Sequence, residues 1–269
     1  MYSEFYGFSA PPFNITPDPR FLFFSDAHRE AFDHLCFGVA ERKGFIQLTG
    51  EVGAGKTTLC RAFLDQLDDS CQTALILNPR MTATQLLRSI LVELDLKAPR
   101  NRVACLNTLN QFLLQQVEEG NDVVLVIDEA QDLSDELLEE VRLLSNFETD
   151  QQKLLQIVLV GQPELRDKLN QRGLRQLRQR ITVRYHLRSL TLYETRYYID
   201  HRLKVAGAQS KPTFDRLAIL LVHWYARGIP RLINAICDKT LLCGFVAETQ
   251  RLRGRHVRRA MRELEGRVG

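Results

Sequence analysis

Phe45-Ile46-Gln47-Leu48-Thr49-Gly50-Glu51-Val52-Gly53-Ala54-Gly55-Lys56-Thr57-Thr58 is the stretch that decides how this chain is read. Its first five residues suit a short buried strand. Gly50 to Thr57 then fits GxxxxGK[ST] and opens a helical stretch running to about Leu67. Glycines in such a turn let backbone N–H groups close around phosphate oxygens, and the helix N-terminus adds a favourable dipole. The pattern predicts a phosphate-binding loop over Gly50, Glu51, Val52, Gly53, Ala54, Gly55, Lys56, Thr57 and Thr58. In that role Lys56 neutralises the β and γ phosphates of ATP, and the Thr57 hydroxyl is a ligand of Mg²⁺.

Outward from this loop, short apolar segments alternate with helical ones: Ala74–Leu77, Val123–Ile127, Leu155–Val160 and Thr182–His186. That alternation predicts a three-layer α/β domain, a parallel sheet covered by helices on both faces. The segment Val123–Ile127 ends in Asp128-Glu129, which puts two carboxylates at the C-terminal edge of the sheet. Asp128 is expected to hold Mg²⁺ through a bound water, and Glu129 to act as general base on the attacking water. Leu155–Val160 runs into Gly161-Gln162-Pro163, where Gln162 is either a sensor of the γ-phosphate and lytic water or a loop amide before a proline-initiated helix.

Strand signals stop after His186. Thr191-Leu192-Tyr193-Glu194 is a capping-box pattern that opens a helix which Gly207 can end. Leu217, Leu220, Leu221 and Trp224 fall at i, i+3, i+4 and i+7, which predicts a helix, and a further helix is expected after Pro230. Residues 190–269 therefore read as a small all-helical domain behind a sheet domain of residues 25–189. Residues 1–24, punctuated by Pro11, Pro12, Pro17 and Pro19, read as an extended arm.

With 45% apolar residues the chain has the composition of a globular protein, and no apolar run approaches a membrane span. No basic, apolar leader precedes the first helix, so the expected location is the cytoplasm. The six cysteines show no CxxC pair and read as small buried hydrophobes in a reducing compartment. Charge is uneven: residues 1–165 hold 13 Lys and Arg against 25 Asp and Glu, and residues 166–269 hold 23 against 8. The basic part suits phosphates, nucleic acid or the acidic surface of a neighbouring copy, or else is a solvated helical face.

Arg175, Arg178 and Arg180 precede the last strand and on their own read equally as a solvated face. Arg231 sits at a helix start behind Pro230, where a cation needs an anionic partner; a nucleotide phosphate and the local carboxylate of Asp238 are the two candidates.

Six ordered motifs carry a resemblance over nearly the whole chain. They are Phe5-Tyr6-Gly7-Phe8 with Pro12-Phe13 and Pro17-Asp18-Pro19, then Gly50–Thr57, Asp128-Glu129-Ala130-Gln131, Gly161-Gln162-Pro163-Glu164-Leu165, Leu177-Arg178-Gln179-Arg180-Ile181 and Gly228–Asn234. The chain resembles the AAA+ ATPases, and within them the ExeA/GspA family of bacterial secretion-associated ATPases, which includes an MSHA pilus protein and is related to TnsC-like transposition regulators. The resemblance implies an ATPase fold with a helical lid. It matches Arg231 to the sensor-2 arginine, Arg180 or Arg178 to the arginine finger offered to a neighbour, and Gln162 to the sensor-1 place.

It further implies an ATP-dependent homo-oligomer, a ring, that powers or regulates assembly of a type II secretion or type IV pilus apparatus. A membrane-bound assembly protein would then be its partner and the inner membrane its peripheral site. Long members of the family continue into a transmembrane helix and a peptidoglycan-binding domain. The alternative is a DNA-associated ATPase of the TnsC kind. Arg251, Arg253, Arg255, Arg258, Arg259 and Arg262 fit that alternative if Val257, Met261 and Leu264 face the lid.

Overall fold

The computed structural model describes residues 2–14, 19–68, 70–149, 152–208 and 212–266. In chain order α1 (Tyr2–Tyr6) and α2 (Asp26–Ala40) precede β1 (Phe45–Gly50). Next come α3 (Lys56–Gln66), β2 (Cys71–Ile76), α4 (Ala83–Glu93), α5 (Arg102–Glu118) and β3 (Asp122–Ile127). They are followed by α6 (Asp135–Leu144), β4 (Gln156–Gly161), α7 (Pro163–Leu169), α8 (Arg175–Arg180) and β5 (Ile181–Leu187). The remainder comprises α9 (Leu192–Val205), β6 (Thr213–Phe214), α10 (Arg216–Ala226), α11 (Pro230–Val246), β7 (Arg251–Leu252) and α12 (Gly254–Leu264). The chain divides into two compact units, one of residues 28–50 and 59–187, the other of residues 1–27, 51–58 and 188–269.

The first unit is built on a five-stranded parallel sheet of order β2-β3-β4-β1-β5. Parallel strands need both faces covered, and in the three central strands β3, β4 and β1 both alternating sets of side chains are buried, whereas the edge strand β5 exposes Thr182, Arg184 and His186. Phe45, Ala74, Ile76, Leu125, Ile127, Ile157 and Leu159 join a core with Leu86, Ile90, Leu91, Leu109, Leu138 and Val141. On the alternate positions Ile46, Leu48, Val124, Val126, Val158 and Val160 are buried as well. Helix α2 can lie on β1 because Gly38 has no side chain: a Cβ there would stand 2.4 Å from Cδ1 of Ile46. The five expected strands are all present. β2 begins three residues early, at Cys71, because it pairs with Asp122 at the start of β3, and Leu77 lies beyond it, exposed.

The order has a functional consequence. Because β4 is inserted between β1 and β3, the C-terminal ends of three parallel strands stand side by side, and the chain leaves them at Gly50, Asp128 and Gln162.

The second unit buries Tyr198, Ile199, Leu203, Val222, Ile233, Ile236, Leu241 and Val257 around α9 to α12. The capping box that opens α9 is formed: the Thr191 hydroxyl accepts from the Glu194 N–H at 3.2 Å, and the Glu194 carboxylate accepts from the Thr191 N–H at 2.7 Å. Gly207, at φ +97°, stands just beyond the end of this helix.

Two expectations need correction here. The region after residue 190 is not all-helical, since Thr213-Phe214 pairs in parallel with Arg251-Leu252. Two-residue strands are too short to show any periodicity. The helix expected over Leu217–Trp224 is present as α10; its buried residues are Ala218, Ile219, Val222 and Ala226, and Leu217, Leu220 and Trp224 are 47%, 47% and 68% exposed. This helix is apolar nearly all round, so the leucine spacing fits more than one face; the face with two alanines permits closer packing of α11 and α12. In α12 Val257 is buried and Met261 packs on the core, but Leu264 is exposed.

The first 24 residues also differ from an extended arm, because α1 is helical and Pro19–Phe21 forms a 3₁₀ turn. The Tyr6 hydroxyl donates to the carbonyls of Leu241 and Thr249, and the buried Arg202 donates to those of Pro12 and Asn14. These contacts fasten the segment to α9 and α11. Pro17 and Asp18 of the opening motif lie outside the described residues. All six cysteines are free thiols, four of them buried. Among the described residues no helix is long and apolar enough to cross a membrane.

Candidate nucleotide-binding and catalytic site

The glycine loop has the backbone its sequence requires. Gly53 and Gly55 take φ of +79° and +100°, values that side chains other than glycine rarely adopt, and α3 begins at Lys56 directly behind them. Gly50 is required for a second reason. A Cβ there would stand 2.8 Å from the carbonyl oxygen of Leu187, its partner in β5. Beside it the buried Thr49 hydroxyl lies 3.1 Å from Nδ1 of His186.

Lys56 is only 6% exposed, and its Nζ donates to the Glu51 carbonyl at 3.0 Å, so the ammonium is folded over its own loop. The Ala54 N–H donates to that carbonyl too, at 3.1 Å. Glu51 and Val52 are exposed, while Thr57 and Thr58 are half-buried at the first turn of α3. A glycine turn with positive φ, a lysine curled across it and a helix N-terminus behind it is a donor set that fits a polyphosphate.

Arg231 belongs to the same compact unit as this loop. Its N–H donates to the Gly53 carbonyl at 3.2 Å, and its Cβ, Cγ and Cδ fill the space that a side chain on Gly53 would need. Pro230 occupies the first turn of α11, as expected, and the Arg231 side chain is exposed. Asp238, the alternative partner, is instead engaged by the hydroxyl of Tyr2.

On the sheet, β3 delivers Asp128 and Glu129. Asp128 is 3% exposed, held by its N–H on the carbonyl of Ile76, and its Oδ1 accepts from the Glu129 N–H at 2.8 Å. Glu129 has left-handed backbone, φ +51° and ψ 37°, at the entry to the 3₁₀ turn Ala130–Asp132. Such a conformation is costly for a side chain other than glycine and is found where geometry is imposed. The Glu129 carboxylate Oε2 accepts from Nε2 of Gln131 at 2.6 Å and from Nε2 of Gln162 at 3.0 Å. Gln162 is thus brought onto the acidic pair, while its N–H donates to Oε1 of Gln131 at 3.1 Å.

The candidate arginines are placed differently. Arg175 is exposed on α8. Arg178 donates to Asn170 at 3.2 Å. Arg180 reaches the end of α6 in its own chain, donating to Ser145, to Asn146 at 2.7 Å and to the carbonyl of Arg142 at 3.4 Å. The six arginines from Arg251 to Arg262 are all exposed. Residues that sequence reasoning passed over are Gln131, which it saw only as part of a motif, and Lys168, whose Nζ donates to the carbonyls of Gln131 and Leu133. The signal for Gln131 was a polar residue two places after an acid in a tight turn; Lys168 gave none.

Comparison with known proteins adds three findings. A family described as an AAA domain matches residues 39–169. General secretion pathway protein A of Aeromonas hydrophila is 44% identical over 99% of this chain and 49% of the relative, so the chain spans about half the length of that curated protein. Among solved structures, Aeropyrum pernix ORC2 in ADPNP–ADP complexes matches 94% of this chain and 71% of its own, at 16% identity and TM-score 0.67. Drosophila ORC bound to DNA matches 94% and 64%, at 17% identity and TM-score 0.70. The Thermotoga maritima RuvB Holliday junction branch migration motor matches 90% and 70%, at 18% and 0.59. At these identities the structures attest the fold alone.

Proposed function

The chain belongs to the AAA+ P-loop proteins and is a relative of general secretion pathway protein A, and from this we propose that it binds ATP with Mg²⁺ and hydrolyses it. The observation that carries the proposal is the carboxylate of Glu129, set one residue beyond the buried Asp128, at the sheet edge where β1 runs into the glycine loop. A module that only bound nucleotide would have no use for a second acid held by two amides.

In this reading Gly50–Thr58 holds the phosphates, with Lys56 leaving Glu51 to neutralise the β and γ groups. Thr57 and Asp128 are the residues that would hold Mg²⁺, Asp128 through water; the ion's contribution is to offset phosphate charge. Glu129 takes the proton as the water oxygen bonds to the γ-phosphorus, and the bond from that phosphorus to the β-phosphate oxygen breaks. Gln162 orients the glutamate and the water. Arg231 reports nucleotide to the helical unit, and Arg180, or next Arg178, acts on the ATP of a neighbouring copy in a homo-oligomer.

Hydrolysis would power or regulate assembly of an envelope apparatus, a secretion or pilus system, through a membrane-bound partner at the cytoplasmic face of the inner membrane. The relative's name supports this over the DNA-associated alternative. The test is phosphate release by the purified chain, with ATP binding measured alongside. Turnover that disappears together with ATP binding in Lys56→Ala is expected. Normal ATP affinity in that variant, or no turnover at any concentration of the native chain, contradicts the assignment.

A further inference from the structure

Glu129, Gln131 and Gln162 form a closed triangle in which each residue bonds both of the others. Nε2 of Gln131 and Nε2 of Gln162 donate to the same Oε2 of Glu129, at 2.6 and 3.0 Å, and Oε1 of Gln131 accepts the Gln162 N–H at 3.1 Å. We infer that Gln131 is a positioning residue for hydrolysis, fixing the Glu129 carboxylate so that Oε1 of the glutamate receives the water's proton. The inference rests on the proposed role of Glu129.

The triangle is set up by its surroundings. Gly161 precedes Gln162, and a Cβ there would stand 2.9 Å from Oε1 of Gln131, so the amide reaches its place only beside a glycine. Lys168 of α7 donates to the carbonyls of Gln131 and Leu133, pinning the backbone of the turn on its other side. Glu129 enters that turn with left-handed backbone, and its carbonyl accepts the Asp132 N–H at 2.9 Å. The turn, the glycine and the lysine thus all bear on the direction in which one carboxylate points.

The chemistry explains why an amide is needed. A general base acts only within hydrogen-bond reach of its proton, and a glutamate left to its own rotamers spends much of its time elsewhere. Two N–H donors on Oε2 hold the side chain and leave Oε1 as the oxygen for the water's proton. Gln131 suits this task because its amide donates with one end and accepts with the other, whereas a carboxylate only accepts.

That asymmetry supplies the test. Gln131→Met keeps the length and loses both bonds, whereas Gln131→Glu keeps an acceptor for the Gln162 N–H and faces Glu129 with a second carboxylate. ATP affinity, thermal stability and kcat are measured for both at pH 8, with Glu129→Gln as reference. Positioning predicts that kcat falls roughly ten- to a hundredfold in both variants, at least as far in Gln131→Glu, with ATP affinity within a few-fold of native. If Gln131→Glu turns over at the native rate and Gln131→Met does not, Gln131 merely anchors the loop and the inference fails. It fails too if both variants keep native kcat while Glu129→Gln is inactive. Native turnover in Glu129→Gln instead removes the role of Glu129 itself.

Discussion

Arg231 is built against Gly53: its N–H donates to the Gly53 carbonyl at 3.2 Å, and a Cβ added to the glycine would stand 2.5 Å from its own Cβ. Gly53 also has φ +79°, which costs an alanine about 1–2 kcal/mol before any contact is counted. Gly53→Ala is therefore expected to lower Tm and to weaken ATP binding, because the loop must move off the arginine. A variant with native Tm and native affinity would show that the loop tolerates the shift.

Arg231→Ala keeps the N–H bond to Gly53 and the Cβ beside it and removes the guanidinium with the chain that carries it. We expect discrimination of ATP over ADP to fall while the sheet unit stays folded, as followed by competition binding and circular dichroism. Unchanged discrimination would reduce Arg231 to a packing residue of the loop.

Glu194 gives a pH dependence. Burial by itself raises its pKa, but the Arg188 guanidinium, 2.8 Å away, together with the N–H and hydroxyl of Thr191, outweighs burial and brings it down to about 2 from 4.5. A depressed carboxylate contributes stability above its unfolded pKa and loses it as pH falls toward the folded one. Glu194→Gln preserves the capping-box shape without the charge, so it is expected to have a lower Tm at pH 7, with the gap closing from pH 4.5 toward 2. A gap independent of pH would place its stabilisation in shape alone.

Arg180 is tied to Ser145 and Asn146 in its own chain, and a finger role requires it to exchange those bonds for a neighbour's phosphate. An arginine acting on transition-state charge lowers turnover far more than binding when removed. Arg180→Ala mixed with Glu129→Gln is expected to regain activity, since interfaces pairing an intact base with an intact arginine reappear, and specific activity is expected to rise with protein concentration. A mixture as inactive as its components would leave Arg180 as the cap of α6, and Arg178 as the residue to test.

Much of this was legible in the sequence because the decisive signals are local. A glycine loop after Phe45–Thr49 and an acidic pair after five apolar residues each occupy a few contiguous positions, and the strands they follow are buried on both faces. What was not legible depends on contacts between distant residues. The spacing of Leu217, Leu220 and Trp224 could not show that Ala218 and Val222 face the core, because the helix is apolar on several sides. The pairing of Thr213 with Arg251 spans helices and leaves no pattern. Gln131 and Gln162 are 31 positions apart, so only the parallel neighbours β3 and β4 could bring them to one carboxylate.

Whether Glu129 is the base of an ATP hydrolase is decided by ATP affinity and single-turnover phosphate release in Glu129→Gln. The amide keeps the shape and cannot take a proton, so we expect binding within a few-fold of native with release slowed at least about a hundredfold. Release within a few-fold of native, at unchanged affinity, would contradict that role and move the activation of water to another residue.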